Sequence, residues 1–200
     1  MSVNRASSIL RYFGKIREQR PELSVYAVLD GARNDRIYST IVSSDVRHRC
    51  LLAGHELLYW GNLPDVLASA APHIIRLPLG EPVARWLMEE GWGDNWGIYF
   101  LSAAKLDELL RHFRRFVMAQ DESGRRFYFR FYDPRVFRPY IPTCKPNELE
   151  MIFGPIERFV VEGEDDNMLV MHTLENMKLK TRNFRIKSKT GREADGKHGS

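Results

Sequence analysis

The sequence has few residues of the types that build disulfide frameworks or metal clusters. Only two cysteines occur, Cys50 and Cys144, and they are far apart and form no Cys-x-x-Cys motif. The six histidines form no His-x-His or His-Glu-x-x-His pattern, and His48, Cys50 and His55 lack an accompanying carboxylate pattern. We therefore expect no structural disulfide, no metal and no cofactor.

Long apolar runs are also missing. No stretch approaches the roughly 18 consecutive apolar residues that a membrane-spanning helix needs. The first five residues lead directly into an amphipathic pattern, without the apolar core of a signal peptide. These features predict a cytoplasmic protein that does not contact a membrane and whose two thiols stay reduced.

Basic charge is scarce outside the end of the chain. The formal net charge is +4, but residues 178–200 hold eight of the 30 lysines and arginines and only two of the 26 acids. Residues 1–177 therefore carry 22 bases against 24 acids. Because a duplex-binding domain needs a basic face that displaces counterions, we expect the folded body not to bind nucleic acid.

Apolar periodicity predicts helices and strands along most of the chain. Residues 8–18 and 102–118 carry apolar side chains at helical spacing, and Ser102 is a good N-cap for the second helix. Strands that alternate with helices predict the α/β class, with a mixed β-sheet flanked by helices. The strand candidates, of which the last two form a hairpin, are residues 25–29, 73–77, 96–101, 156–161 and 168–173.

The end of the chain differs in its patterning from the rest. Residues 188–200 are polar and basic without apolar periodicity, which predicts a disordered tail.

Asp30 and Asp133 are the carboxylates on which an enzymatic function would depend. Asp30 follows a buried strand, but the Asp-x-Asp pattern of phosphatases would need a second acid at Ala32. A turn or capping role for Asp30 is the simpler interpretation. The glycine-rich residues 91–97 follow a helix instead of opening one, unlike a phosphate-binding loop. A small α/β hydrolase-like enzyme that uses Asp30 or Asp133 stays open as an alternative.

Residues 125–138 interleave aromatic and basic side chains. Alternation over residues 125–132 predicts a two-sided strand whose phenylalanines face the core and whose tyrosines and Arg130 face away. An exposed Arg/Tyr face, together with the basic tail, makes a nucleic-acid-binding module a second alternative.

Arg130, Asp133 and Arg135 lie where this predicted strand ends. Asp133 precedes a proline, so it can cap the next helix and accept a charge-assisted hydrogen bond from a guanidinium group. The three residues predict either a latch that holds the strand to the following element, or the polar rim of a recognition cleft.

The order of several short segments resembles the domain-of-unknown-function family of type VI secretion effector chaperones. The Arg-Phe-Tyr-Asp-Pro-Arg stretch is the most specific of them, and the resemblance covers about residues 24–160. The segments that carry it are residues 26–32, 51–54, 72–77, 96–98, 112–115, 129–137 and 153–155.

This resemblance implies a non-enzymatic adaptor in the cytoplasm of an attacking bacterium. It also implies an α/β N-terminal lobe, which we assign to residues 1–120, and a smaller C-terminal α+β lobe, which we assign to residues 121–187, with a groove between them. Such a protein binds one toxin effector and loads it onto a valine-glycine-repeat spike protein. A chaperone of this kind needs a groove with aromatic walls and a charged rim, and Trp and Arg often dominate interface energies. The candidate protein-binding residues are Trp86, Trp92, Trp96, Arg130, Tyr132, Asp133 and Arg135.

Overall fold

The computed structural model describes residues 5–52, 64–120 and 123–186. Seven α-helices occur in these ranges: α1 (Arg5–Gln19), α2 (Arg36–Ser43), α3 (Asp65–Ala70), α4 (Pro82–Trp86), α5 (Leu106–Val117), α6 (Pro134–Tyr140) and α7 (Pro146–Phe153). A π-helical segment, Leu87–Gly91, continues α4, and Gly31–Arg33 and Ile141–Thr143 form short 3-10 helices. The strands are β1 (Ser24–Asp30), β2 (His48–Cys50), β3 (Pro72–Arg76), β4 (Gly97–Ser102), β5 (Met118–Gln120), β6 (Arg126–Tyr128), β7 (Arg158–Glu162), β8 (Met168–Glu175) and β9 (Lys178–Arg185). None of the described helices is long and apolar enough to cross a membrane.

Seven of the strands form one sheet in the order β2-β3-β1-β4-β7-β8-β9, which confirms the predicted α/β class. All the strand pairs in this sheet are antiparallel, so the expectation of a sheet mixed in direction is wrong. The register gives the reason: Pro72, which begins β3, lies opposite Asp30, which ends β1. The chain therefore returns at the end of the sheet that it left, and a parallel pair would have needed a crossover to the opposite end.

Helices cover both faces of the sheet. Val25, Ala27 and Leu29 of β1 face a core formed with α1, α2 and α4, whereas Tyr26 and Val28 face a core formed with α5, α6 and α7. We call these the first core and the second core. Because both faces of β1 are buried, its sequence is a continuous apolar run and does not alternate with polar residues.

The sheet runs across the position, residue 120, at which the sequence analysis divides the chain into two lobes. Strands β7, β8 and β9 come from the second predicted lobe and extend the sheet beyond β4. Both cores contain residues from either side of residue 120. The division into lobes stays a prediction, and residues 188–200 lie outside the described residues.

Two predicted elements differ from the structure. Ser102 does not cap α5, which begins at Leu106; it ends β4, and its hydroxyl donates to the Pro155 carbonyl at 2.6 Å. The strand predicted over residues 125–132 is shorter: only Arg126–Tyr128 is extended, and it pairs with β5 outside the main sheet. The chain turns after this strand, with a hydrogen bond of 3.0 Å from the Asp133 amide to the Arg130 carbonyl.

Candidate functional site

Asp30 lies at the end of β1 with its side chain only 2% exposed. One carboxylate oxygen accepts a hydrogen bond of 3.2 Å from the Ala32 amide, which is the capping role predicted from the sequence. The following Gly31 packs against the end of α3, where an added Cβ atom would lie 2.2 Å from the Ser69 carbonyl oxygen. Glycine at this position therefore lets the chain leave the sheet.

Arg130 donates to the other carboxylate oxygen of Asp30, although the two residues are 100 positions apart in the sequence. The arginine side chain is 41% exposed, while its Nε atom is buried without a hydrogen-bond partner in the described residues. The pair joins the turn before α6 to the end of the central strand. It is a latch between elements, and its acidic partner is Asp30.

Asp133 caps α6. One carboxylate oxygen accepts from the Arg135 amide and from Arg135 Nε, both at 3.0 Å, and the other accepts from Arg135 Nη2 at 2.6 Å. Burial pushes the pKa of Asp133 upward, but the hydrogen bonds from Arg135 outweigh it and leave the pKa below its ordinary value. The capping interaction predicted from the sequence is confirmed, and the Asp133–Arg135 ion pair is local to the start of the helix.

Tyr132 and Tyr128 lie beside this latch. Their hydroxyl oxygens are 2.9 Å apart, and Tyr132 is buried whereas Tyr128 is partly exposed. Burial raises the pKa of Tyr128 to about 12. Burial and the neighbouring Tyr128 raise the pKa of Tyr132 well above its usual range. Both hydroxyls therefore stay protonated at neutral pH and can only exchange hydrogen bonds there.

An apolar pocket lies next to the latch, between α5, α6 and α7. Phe129 and Tyr140 form its partly open side, with their ring centroids 4.9 Å apart in an edge-to-face arrangement. Phe113 and Phe131 stack at 5.3 Å in its interior. We call this pocket the aromatic cleft; it is lined by Phe113, Phe116, Phe129, Phe131, Phe137, Tyr140, Ile152 and Phe159.

The three candidate tryptophans do not join this site. Trp92 and Trp96 are buried and Trp86 is partly buried, and all three belong to the first core, across the sheet from the aromatic cleft. Trp86 retains some exposure, and the Arg36 guanidinium lies over its ring at 5.4 Å from the centroid. Trp92 and Trp96 have almost no accessible surface, so the expectation that they anchor a partner is corrected, whereas the anchoring role of Trp86 stays a prediction.

Sequence reasoning missed two features of the site. It did not predict that Arg130 is the partner of Asp30, and its strand over residues 156–161 ended before Glu162. Glu162 is buried at the end of β7, where it accepts a hydrogen bond of 2.5 Å from the Gly93 amide, and burial raises its pKa. Strand periodicity over residues 156–162 is the signal that could have placed Glu162 inside. Among the described residues, no group of three His, Cys, Asp or Glu side chains could hold a metal ion.

The profile of the family described as Domain of unknown function (DUF4123) matches residues 25–151, well over half of the chain. The chain belongs to this DUF4123 family. No curated protein and no solved structure matches it. The matched residues of the DUF4123 protein include nearly all of β1, the Asp30–Arg130 latch, the Asp133 cap and most of the aromatic cleft. Strands β7, β8 and β9 follow the matched segment.

Proposed function

We propose that this DUF4123 protein is a type VI secretion effector chaperone. It binds one toxin effector in the bacterial cytoplasm and loads it onto a valine-glycine-repeat spike protein, without making or breaking covalent bonds. The proposal starts from the order of sequence segments that resembles such chaperones. Nearly all of those segments lie inside the family match, which covers residues 25–151.

The observation that carries the proposal is the aromatic cleft with charged side chains beside it. A chaperone holds its client by burying apolar side chains of the client, so it needs a concave apolar surface with a polar rim. Four of the rings that line the cleft, Phe113, Phe131, Phe137 and Phe159, are buried in the second core. The accessible apolar surface is that of Phe116, Phe129, Ile152 and Tyr140, and Tyr140 at the open side is 37% exposed. The partly exposed side chains of Arg130 and Arg135 are close in sequence to Phe129 and provide the rim.

The state of the two candidate catalytic carboxylates also supports a binding role. Asp30 and Asp133 are both buried, and each is already hydrogen bonded to an arginine of the same chain. Burial raises the pKa of Asp133, but the hydrogen bonds from Arg135 outweigh this effect and leave the pKa below its ordinary value, so this carboxylate is a weak base. This arrangement favours structural support of the cleft over the hydrolase-like alternative.

Co-expression tests the proposal directly. We expect tagged protein to co-purify with the effector and the spike protein encoded beside it, and to keep that effector in the soluble fraction. Purification with neither protein, tested for every spike protein that the genome encodes, would refute the chaperone assignment.

A matched pair of variants tests the cleft. Tyr140→Ala removes the ring that contacts Phe129, whereas Tyr140→Phe keeps the ring and removes only the hydroxyl. We expect Tyr140→Ala to weaken effector binding by roughly tenfold or more, as is common for a central aromatic anchor, and Tyr140→Phe to bind nearly as the wild type. Equal binding by both variants, with unchanged melting temperatures, would place the effector elsewhere.

A further inference from the structure

Strand β9 forms one end of the seven-stranded sheet and is eight residues long. We propose that its outer edge accepts an additional β-strand from an acidic polypeptide segment with carboxylate side chains at alternate positions. The surface is separate from the aromatic cleft, and the inference does not depend on the proposed chaperone function.

The hairpin geometry decides which backbone groups of β9 face outward. Asn176 and Met177 have φ values of 51° and 61°, as in a two-residue type I′ turn, so Glu175 and Lys178 form the hydrogen-bonded pair that closes the loop. Hydrogen-bonded pairs then recur at every second residue, and the amide of Ile186 fits this pattern because it donates to the Asn167 carbonyl at 2.7 Å. The backbone groups left facing outward are those of Leu179, Thr181, Asn183 and Arg185.

The outer edge is open and long enough to pair. No strand of the described residues pairs with this side of β9, and seven of its eight residues are exposed. The other end of the sheet is β2, which has only three residues. A peptide that adds to β9 would gain main-chain hydrogen bonds from four residues, which is the way extended peptides bind sheet edges.

The charges on β9 select the partner. Lys178, Lys180 and Arg182 share one face of the strand, since side chains alternate. Lys178 lies opposite Glu175 of β8, which offsets its charge, whereas the cross-strand neighbours of Lys180 and Arg182 are Thr173 and Met171, neither of which is acidic. The row of positive charge without an acidic neighbour across the strand pair is therefore Lys180 and Arg182. Carboxylates two residues apart on an incoming strand would face this row of positive charge.

The same charges disfavour pairing of β9 with the β9 strand of a second copy of this chain. Two β9 edges would place lysines and arginines opposite one another, and like charges across a strand pair are destabilising. Charged side chains are a usual protection of sheet edges against self-association. A row of one sign repels its own copies and still admits a strand of the opposite sign, and this asymmetry favours an acidic partner.

Synthetic peptides test the inference on the full chain. The probe is an eight-residue, dye-labelled peptide in which glutamate alternates with valine, and its control has the same composition with the four glutamates consecutive. We expect the alternating peptide to bind about tenfold more tightly by fluorescence anisotropy, since it places several carboxylates opposite bases on one face. Amides of Leu179, Thr181 and Asn183 should exchange more slowly with solvent when it is bound. Equal affinity of the two peptides, or unprotected β9 amides, would overturn the inference.

Two sets of variants test separately how the backbone amides and the charged side chains of β9 contribute to peptide binding. Asn183→Pro removes an outward amide, and Asn183→Ala keeps it as the matched control. We expect only the proline variant to lose binding. Lys180→Glu combined with Arg182→Glu should reverse the preference, so that a peptide with lysine in place of glutamate binds instead; this outcome does not require the proline variant to fold. Three results would each refute the acidic-strand assignment. The first is that the charge-reversed variant keeps its preference for the glutamate peptide. The second is that a single-stranded oligonucleotide competes as strongly as the peptide, and the third is that the free chain is a dimer in light scattering.

Discussion

Asp30 and Arg130 show how one buried carboxylate shapes the site. A buried charge costs several kcal/mol unless a partner and further hydrogen bonds compensate it. Asp30 receives both, from the Ala32 amide and from Arg130. The aromatic residues that flank Arg130, Phe129 and Phe131, line the cleft. Tying Arg130 to the end of β1 therefore positions the wall of the cleft against the sheet.

Removing Arg130 tests this latch. Arg130→Met keeps much of the side-chain length and leaves the Asp30 carboxylate without its charged donor. We expect the free energy of unfolding to fall by about 1–3 kcal/mol, the usual cost of a buried polar group that loses its partner. Urea denaturation measures it, with Arg111→Met on the exposed side of α5 as the control that should change little.

A double-mutant cycle makes the same prediction sharper. Asp30→Asn removes the buried charge, so Arg130→Met should cost less in that background than in the wild type. Costs that simply add would mean that the two side chains are not energetically coupled, in contradiction to the latch.

His172 is a buried histidine of β8 whose side chain reaches Thr181 of β9. Its Nδ1 atom lies 3.0 Å from Thr181 Oγ1, and burial lowers its pKa to about 4. The unfolded chain binds a proton on this imidazole near pH 6.5, whereas the folded chain binds it only near pH 4. The contribution of His172 to the free energy of unfolding is therefore complete above pH 6.5 and is lost as the pH falls from about 6.5 to 4.

The contribution of His172 can be isolated from the pH dependence of stability. In the wild type, His73 and His112 also have lowered pKa values because of burial, so the free energy of unfolding should fall over this range through several groups. His172→Gln should reduce the slope between pH 6.5 and 4 by about one proton, or about 1.4 kcal/mol per pH unit. An unchanged slope in urea titrations would mean that His172 is accessible to protons in the folded state.

At the scale of elements, the β8–β9 hairpin closes through a strained residue. Met177 has a φ value of 61°, a conformation that costs roughly 1 kcal/mol for a residue with a Cβ atom. A type I′ turn favours Asn-Gly, and this chain has Asn176 followed by methionine. The hairpin therefore forms from the pairing of its long strands, despite the second turn residue.

Met177→Gly should stabilise the protein by about 1 kcal/mol, since glycine adopts a positive φ without the steric cost. Met177→Ala removes the same exposed side chain but keeps the Cβ atom, so it should give no comparable gain. Thermal unfolding of the two variants checks the prediction. A glycine variant no more stable than the alanine variant would show that strain at this turn is negligible.

At the scale of the whole molecule, one sheet connects the two predicted lobes. The first and second cores share the strands of that sheet, so neither can lose its packing without exposing the other face of the same strands. We expect a single cooperative unfolding transition in urea, with coincident curves from tryptophan fluorescence and from far-ultraviolet circular dichroism. Two separated transitions would support independent lobes on either side of residue 120.

Local patterning was enough for many of the elements and for the class of the fold. Periodicity predicts the buried strand β1, the helix α5 and the β7–β8 hairpin. It does so because the spacing of apolar side chains along the sequence indicates which face of an element is buried. The capping role of Asp133 follows from its place before Pro134. Strand β9 was missed because it is exposed and rich in Lys and Arg, and only its pairing with β8 makes it a strand.

The sequence by itself determined what each segment can become, since helix and strand periods depend on near neighbours. The tertiary structure alone decided which distant segments meet. It paired Arg130 with Asp30, assigned the tryptophans to the first core, and left the basic side chains of β9 on an open edge. The physical reason is that contacts between residues 100 positions apart depend on sheet order and strand direction, and no local spacing encodes either of these.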